Sequence, residues 1–140
     1  MRNFKKDTLK GCTALITGAG GFLGPNHALA LTYAGAKVYL LDIDKEGLEN
    51  CRKELISNNP TASHEIVICD ITKISSLEDF ADSIKKNNET VDILINNASI
   101  NPKMKNLDSL ISGRIEDYDL NEWNKELNVG INGTFICINL

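Results

Sequence analysis

Four of the eight residues from Thr17 to Gly24 are glycine, in the order Thr-Gly-Ala-Gly-Gly-Phe-Leu-Gly. A short apolar run, Thr13-Ala-Leu-Ile16, precedes them, and an apolar-periodic stretch from Phe22 to Tyr33 follows, with Pro25 near its start. A strand that breaks into glycines and then opens a helix is a seat for a pyrophosphate. Bare backbone turns tightly and approaches phosphate oxygens closely, while the N–H groups and positive dipole end of the new helix attract the anion. Asp42 ends the next apolar run, 18 residues after Gly24. A carboxylate about 20 residues after such a turn accepts hydrogen bonds from the adenosine ribose hydroxyls of a dinucleotide. Helix capping is the alternative role for Asp42, and Asp44 suits that role better. The same carboxylate repels a 2′-phosphate, and neither the turn nor Ile43 supplies an Arg or Lys to neutralise one. NAD is therefore favoured over NADP.

These residues need a frame of strands and helices. Residues 11–17 read as a first strand and 22–34 as a first helix, closed by Gly35. Lys37 to Asp42 is a nearly continuous apolar run, the pattern of a strand covered on both faces. Asp44 caps a second helix over 45–57, which ends before Pro60. His64 to Cys69 is a third strand; Thr72 or Ser75 opens a third helix with Leu77, Phe80, Ala81 and Ile84 on one stripe. Val91 to Ile95 is a fourth strand, and 96–119 reads as loop. A helical pattern resumes near Leu120, with Trp123, Leu127, Ile131 and Phe135 spaced by four and weakened by Gly130 and Gly133. Strands alternating with helices imply an α/β fold: a Rossmann-type doubly wound parallel sheet in the order 3-2-1-4, incomplete on its C-terminal side. The crevice between strands 1 and 4 is the ligand site of such sheets.

Length and composition bound the rest. One domain over residues 1–140 is expected. The net charge of −4 argues against a nucleic-acid surface, and the paired lysines 5–6 and 85–86 read as solvated faces. Cys12, Cys51, Cys69 and Cys137 lack metal-ligand spacing and read as buried free thiols of a reducing compartment. His27 and His64 stand alone, so no metal site is expected. No apolar stretch approaches the ~20 residues of a membrane span, and the N-terminus is no signal peptide. A cytoplasmic protein without a membrane partner is the expectation.

Over essentially its whole length the chain resembles the short-chain dehydrogenases/reductases. Residues Thr17 to Gly24 are similar to that family's TGxxxGxG loop, with Phe22 where the middle glycine usually falls and Gly21 taking its place. The spacing also fits the TGxxGxxG form of nucleotide-sugar epimerases and dehydratases. Asp70-Ile71-Thr72 looks like the acidic turn that contacts adenine, with Asp70 on the exocyclic amine; capping of the third helix is its other reading. Asn96-Asn97-Ala98-Ser99 looks like the family's NNAG segment, Ser99 replacing Gly. There the Asn side chains brace the sheet edge and the following backbone lines the nicotinamide ribose. The stretch from Leu120 to Phe135 is similar to the long interface helix, core and dimer-contact material. The resemblance thus implies a cofactor site of Gly18, Gly20, Gly21, Phe22, Leu23, Gly24, Asp42, Ile43, Asp70, Ile71, Asn97, Ala98 and Ser99.

Catalytic residues are expected elsewhere. The family's helix carries an Asn three residues before its glycine, and in this chain Gly130 occupies that position; Asn128 points elsewhere on a helix. The family also uses a Ser and a YxxxK pair, because a phenol near pKa 10 works at neutrality only beside a cation. Tyr33, Tyr39 and Tyr118 are followed at the fourth residue by Lys37, Ile43 and Glu122, of which only the first is a lysine, and that pair spans the predicted helix end at Gly35. The Ser, Tyr and Lys are expected beyond residue 140, in a longer protein, and the 140-residue span alone is expected to be inactive. The implied function is an NAD-dependent dehydrogenase/reductase acting on an alcohol or ketone of a small molecule, such as a sugar or polyol derivative, as a homodimer or homotetramer. A nucleotide-sugar epimerase or dehydratase, and a non-catalytic NAD sensor, are the alternatives. Lys103, Lys105 and Arg114 are candidates for meeting an anionic substrate, or solvated loop charges.

Overall fold

Thr13–Thr17 (β1), Lys37–Asp42 (β2), His64–Ile68 (β3) and Ile93–Asn96 (β4) form one parallel sheet in the computed structural model, which describes residues 6–100, 116 and 118–140. The order is β3-β2-β1-β4, as the alternation of elements predicts. Gly24–Tyr33 (α1), Lys45–Asn58 (α2) and Ile74–Lys86 (α3) connect the strands. Register places Thr17 of β1 between Leu41 of β2 and Asn96 of β4. At that level the chain leaves β1 toward one neighbour and β4 toward another side, which opens a crevice at the carboxyl ends of the strands.

Period-two alternation sorts the continuous apolar runs onto two faces. Ala14, Ile16, Val38 and Leu40 pack with Ala28 of α1 and with Leu48, Cys51 and Leu55 of α2. Leu15, Tyr39 and Leu41 pack on the opposite face with Leu77, Phe80 and Ile84 of α3. Both faces are covered, so every residue of β1 is buried. Of the four cysteines, three are buried, whereas Cys12 is half-buried, short of the full burial expected.

Two helical expectations need correction. α3 begins at Ile74, with Lys73 at the cap position and no side-chain cap, rather than at Thr72 or Ser75. The Thr72 hydroxyl, one residue before the cap position, donates to Asp70 Oδ1 at 2.7 Å. Asp70, three residues before the cap position, does not cap the helix. The last helical stretch is also not one continuous α-helix. Leu120–Leu127 (α4), capped by Asp119, runs into a π-helical turn over Asn128–Gly133 and then Thr134–Ile138 (α5). The wider turn rotates the face that meets the sheet. Val129, Ile136 and Cys137 pack on the α3-side core, while Trp123, Ile131 and Phe135, expected as core and dimer-contact material, stand 43 to 67% exposed. Gly133 lets this segment approach, since a Cβ there would lie 2.7 Å from Ile71 Cδ1.

A polar cluster closes the amino-terminal end of the sheet. Lys37 Nζ reaches Glu65 at 2.6 Å and Glu89 at 2.7 Å, and the Tyr39 hydroxyl donates to Glu89 at 2.9 Å. Burial works against the Lys37 ammonium, but the carboxylates of Glu65 and Glu89 outweigh it and hold its pKa above the ordinary value. The Lys37 ammonium in turn holds the Glu89 carboxyl below its ordinary range, against a smaller effect of burial. A carboxylate with a depressed folded pKa stabilises above its ordinary value of 4.5 and loses that contribution as pH falls through the folded value. Glu89→Gln is therefore expected to destabilise the protein near neutrality. The gap to wild type should narrow as pH drops below about 4.5, measured by urea unfolding across pH.

Candidate functional site

The turn after β1 is held by backbone contacts on several sides. Gly18 has φ +66°, and a Cβ on it would lie 2.6 Å from the Ala98 Cα. Gly24 lies against Ala19, whose carbonyl oxygen would be 2.1 Å from a Cβ. Neither position admits a side chain. Across the crevice, Asn97 Nδ2 donates to the carbonyls of Thr17 at 3.1 Å and Gly18 at 2.9 Å. The Thr17 hydroxyl oxygen accepts the N–H groups of Asn97 and Ala98, each at 3.1 Å. The ends of β1 and β4, some 80 residues apart in sequence, are thereby stapled together. Asn97 spends its amide on the turn, the bracing part that the loop after the fourth strand implied.

Asp42 ties the turn to β2. Its Oδ2 accepts the N–H of Gly20 at 2.9 Å and its Oδ1 accepts the N–H of Asp44 at 3.0 Å. Each oxygen keeps a lone pair for an incoming hydroxyl. Asp44, as expected, caps α2 by accepting the Glu46 N–H at 3.0 Å. At the end of β3, Asp70 Oδ1 accepts both the hydroxyl and the N–H of Thr72, and Lys73 Nζ lies 3.3 Å from Oδ2. The Thr72 hydroxyl contributes most to holding the Asp70 carboxyl below its ordinary value, against a smaller cost of burial.

α1 begins at the cap residue Leu23 with no side-chain cap, no acidic residue in its first turn, and Pro25 in place of one N–H. The helix start thus faces the crevice with backbone donors and a positive dipole end that no side chain of its own neutralises. Phe22, 93% exposed, stands at the same mouth.

A cavity of about 650 Å³ gathers these groups. Gly18, Gly20, Gly21, Phe22 and Leu23 line it from the turn; Asp42 and Ile43 from β2; Asp70 and Ile71 from beyond β3; Asn97, Ala98 and Ser99 from beyond β4. Of the residues singled out from sequence only Gly24 is absent from the lining, because it is buried against Ala19. Sequence reasoning missed Leu41, Asp44, Cys69, Ile100 and Val129 as further lining residues. Val129 arrives through the π-helical turn, for which two glycines were the only signal. Gly130 is exposed, and a Cβ there would meet nothing within 4 Å. None of Tyr33, Tyr39 and Tyr118 lines the cavity, and Tyr118 instead hydrogen-bonds Glu126. Lys103, Lys105 and Arg114 lie outside the described residues. Among the described residues no group of His, Cys, Asp and Glu could hold a metal, and no helix is long and apolar enough to cross a membrane.

Comparison with known proteins agrees with this geometry. A family model described as short chain dehydrogenase matches residues 12–140. An uncharacterized oxidoreductase of Bacillus subtilis (strain 168), YxbG, is 31% identical over 129 residues, which cover 92% of this chain and 44% of that protein. NAD+-bound xylitol dehydrogenase superposes with a TM-score of 0.74 at 26% identity, over 94% of this chain and 47% of that one. A metagenomic short-chain oxidoreductase in complex with NADP has the same fold, with a TM-score of 0.74 at 24% identity over 94% and 55% of the two chains. The chain spans about half the length of these relatives.

Asn97→Ala removes both side-chain hydrogen bonds to the turn and leaves the Gly18 carbonyl with the Gly21 N–H. A loss of about 1–3 kcal/mol is expected in denaturant unfolding, accompanied by faster hydrogen exchange at Gly20 and Gly21.

Proposed function

We propose that this chain, which belongs to the short chain dehydrogenase family, is the cofactor-binding part of an NAD-dependent oxidoreductase acting on an alcohol or ketone of a small polar substrate. One observation carries the reading. A bare-backbone turn, an uncapped helix start and a carboxylate share one cavity, with the carboxylate hydrogen-bonded to the turn at 2.9 Å. The residues fit a dinucleotide by the chemistry of their donors and acceptors. The Gly20 and Gly21 N–H groups are taken by Asp42 and by the Gly18 carbonyl, so the backbone at Phe22 and Leu23 and the uncapped start of α1 offer the N–H groups for a diphosphate; Asp42 offers acceptors to ribose hydroxyls. Asp70 and Ile71 border the adenine end, and the backbone of Asn97, Ala98 and Ser99 borders the nicotinamide end.

When bound, the nicotinamide ring supplies the acceptor or donor of hydride. This chain's residues bind and orient. Asp42 favours NAD over NADP, since its fixed negative charge meets a hydroxyl as acceptor and a 2′-phosphate as like charge. Gly130 brings no side chain to the cavity, and none of Tyr33, Tyr39 and Tyr118 lines it. Among the described residues, the acid–base work accordingly falls to none of these positions. A sugar or polyol substrate is favoured by the likeness to a xylitol dehydrogenase. The exposed apolar residues Trp123, Ile131 and Phe135 suit a homodimer or homotetramer, and a cytoplasmic site accords with the free thiols.

Calorimetric titration of the intact protein with NAD and with NADP tests the proposal. NAD should bind at least about tenfold more tightly, the equivalent of one charge-assisted hydrogen bond. Asp42→Ala should abolish most of that preference. Failure of both nucleotides to bind would sink the reading.

A further inference from the structure

The first turn of α2 contains a glycine that the site described above does not explain. Gly47 sits where glycine costs about 1 kcal/mol relative to alanine. Its surroundings give the reason. A Cβ on Gly47 would lie 2.7 Å from the carbonyl oxygen of Gly20 and 3.1 Å from its Cα. Reciprocally, a Cβ on Gly20 would lie 2.9 Å from the Gly47 carbonyl carbon and from the Leu48 nitrogen. All of these are backbone atoms, which cannot swing aside as a side-chain end can. The turn and the helix start meet backbone on backbone.

That contact closes a ring. The Gly20 N–H donates to Asp42 Oδ2, and the Asp44 N–H donates to Asp42 Oδ1. Asp44 begins α2, and Gly47 returns the helix to Gly20. The single carboxylate thus bridges two pieces of backbone that touch each other. Leu48, fully buried, pins the helix side of the ring in the core, so α2 does not retreat cheaply.

We infer that Gly47 is a positioning residue for cofactor discrimination: by letting α2 abut the glycine turn, it fixes the Asp42 carboxylate and so selects a ribose hydroxyl over a 2′-phosphate. The inference rests on the dinucleotide reading. A methyl group at Gly47 must part the turn from the helix by several tenths of an ångström. Asp42 then keeps one of its two backbone donors and loses its fixed direction. Binding that depends on the oriented carboxylate weakens for NAD, while any shift of the turn at the diphosphate weakens both nucleotides alike and leaves their ratio unchanged.

Titration of the intact Gly47→Ala protein with NAD and NADP reads this directly. The discrimination between the two nucleotides should fall about tenfold, because NAD binding weakens more than NADP binding does. Gly20→Ala makes the same clash from the turn side and should move the ratio the same way, so one poorly folding variant does not remove the test. Leu55→Ala, a core truncation farther along α2, should lower the unfolding temperature and leave the ratio unchanged. If both glycine variants keep the wild-type ratio while Asp42→Ala collapses it, Gly47 has no positioning role and the dinucleotide reading stands. Absence of nucleotide binding to the wild type overturns that reading itself.

Discussion

Close approach of backbone to backbone around the turn from Thr17 to Gly24 is the constraint on which the rest of this structure depends. The turn touches Ala98 through Gly18, Gly47 through Gly20 and Ala19 through Gly24, in each case at a distance that excludes a Cβ. Three different partners, from the far side of β4, from α2 and from the turn itself, converge on one short segment. The N–H groups of Ala19, Gly20 and Gly21 are spent on Leu41, Asp42 and Gly18, which makes the turn a rigid mould and leaves the start of α1 to face a ligand. Asp42 and Asn97 complete the arrangement by supplying the hydrogen bonds that the turn cannot make within itself.

The sheet gives this mould its stiffness. β1 is buried along its whole length because α1 and α2 cover one face and α3 the other. A central strand with neighbours on both sides and helices on both faces cannot shift without disturbing either core. The turn inherits that rigidity at its first residue, Thr17, which is fully buried and whose hydroxyl holds the opposite loop. Polar chemistry is divided between the two ends of the strands. The Lys37, Tyr39 and Glu89 cluster neutralises the amino-terminal end, leaving the carboxyl-terminal end with Asp42, Asp70 and uncapped helix donors. Structure and binding are thus served by separate charged groups on the same sheet.

Sequence reading succeeded where the determining force is local, and failed where it is not. The strands and the first two helices follow from apolar periodicity and from punctuation by Gly35, Asp44 and Pro60, all of which act within a few residues. The start of α3 falls between the two candidate caps, with Lys73 at the cap position and no side-chain cap for the sequence to display. The stripe from Trp123 to Phe135 reads as core and dimer-contact material on a spacing of four, and for Trp123, Ile131 and Phe135 only the core part fails. Spacing of four presupposes an unbroken α-helix, and the π-helical turn at Asn128–Gly133 changes which residues face the sheet. Gly47 left a trace in the sequence as a glycine inside a predicted helix, but its partner Gly20 could not be named from spacing.

By itself, then, the chain's sequence determined the alternation of elements, the sheet order that follows from right-handed crossovers, the glycine turn and the carboxylate after it. Each of these is encoded in the character of consecutive residues, or in separations set by the length of one strand–helix unit. Only the tertiary structure decided which carbonyls Asn97 holds, that Gly20 and Gly47 meet, and that Val129 reaches the cavity while Gly24 does not. Those outcomes depend on contacts between segments distant in the chain, whose distances arise from packing the two cores and leave no periodicity to read.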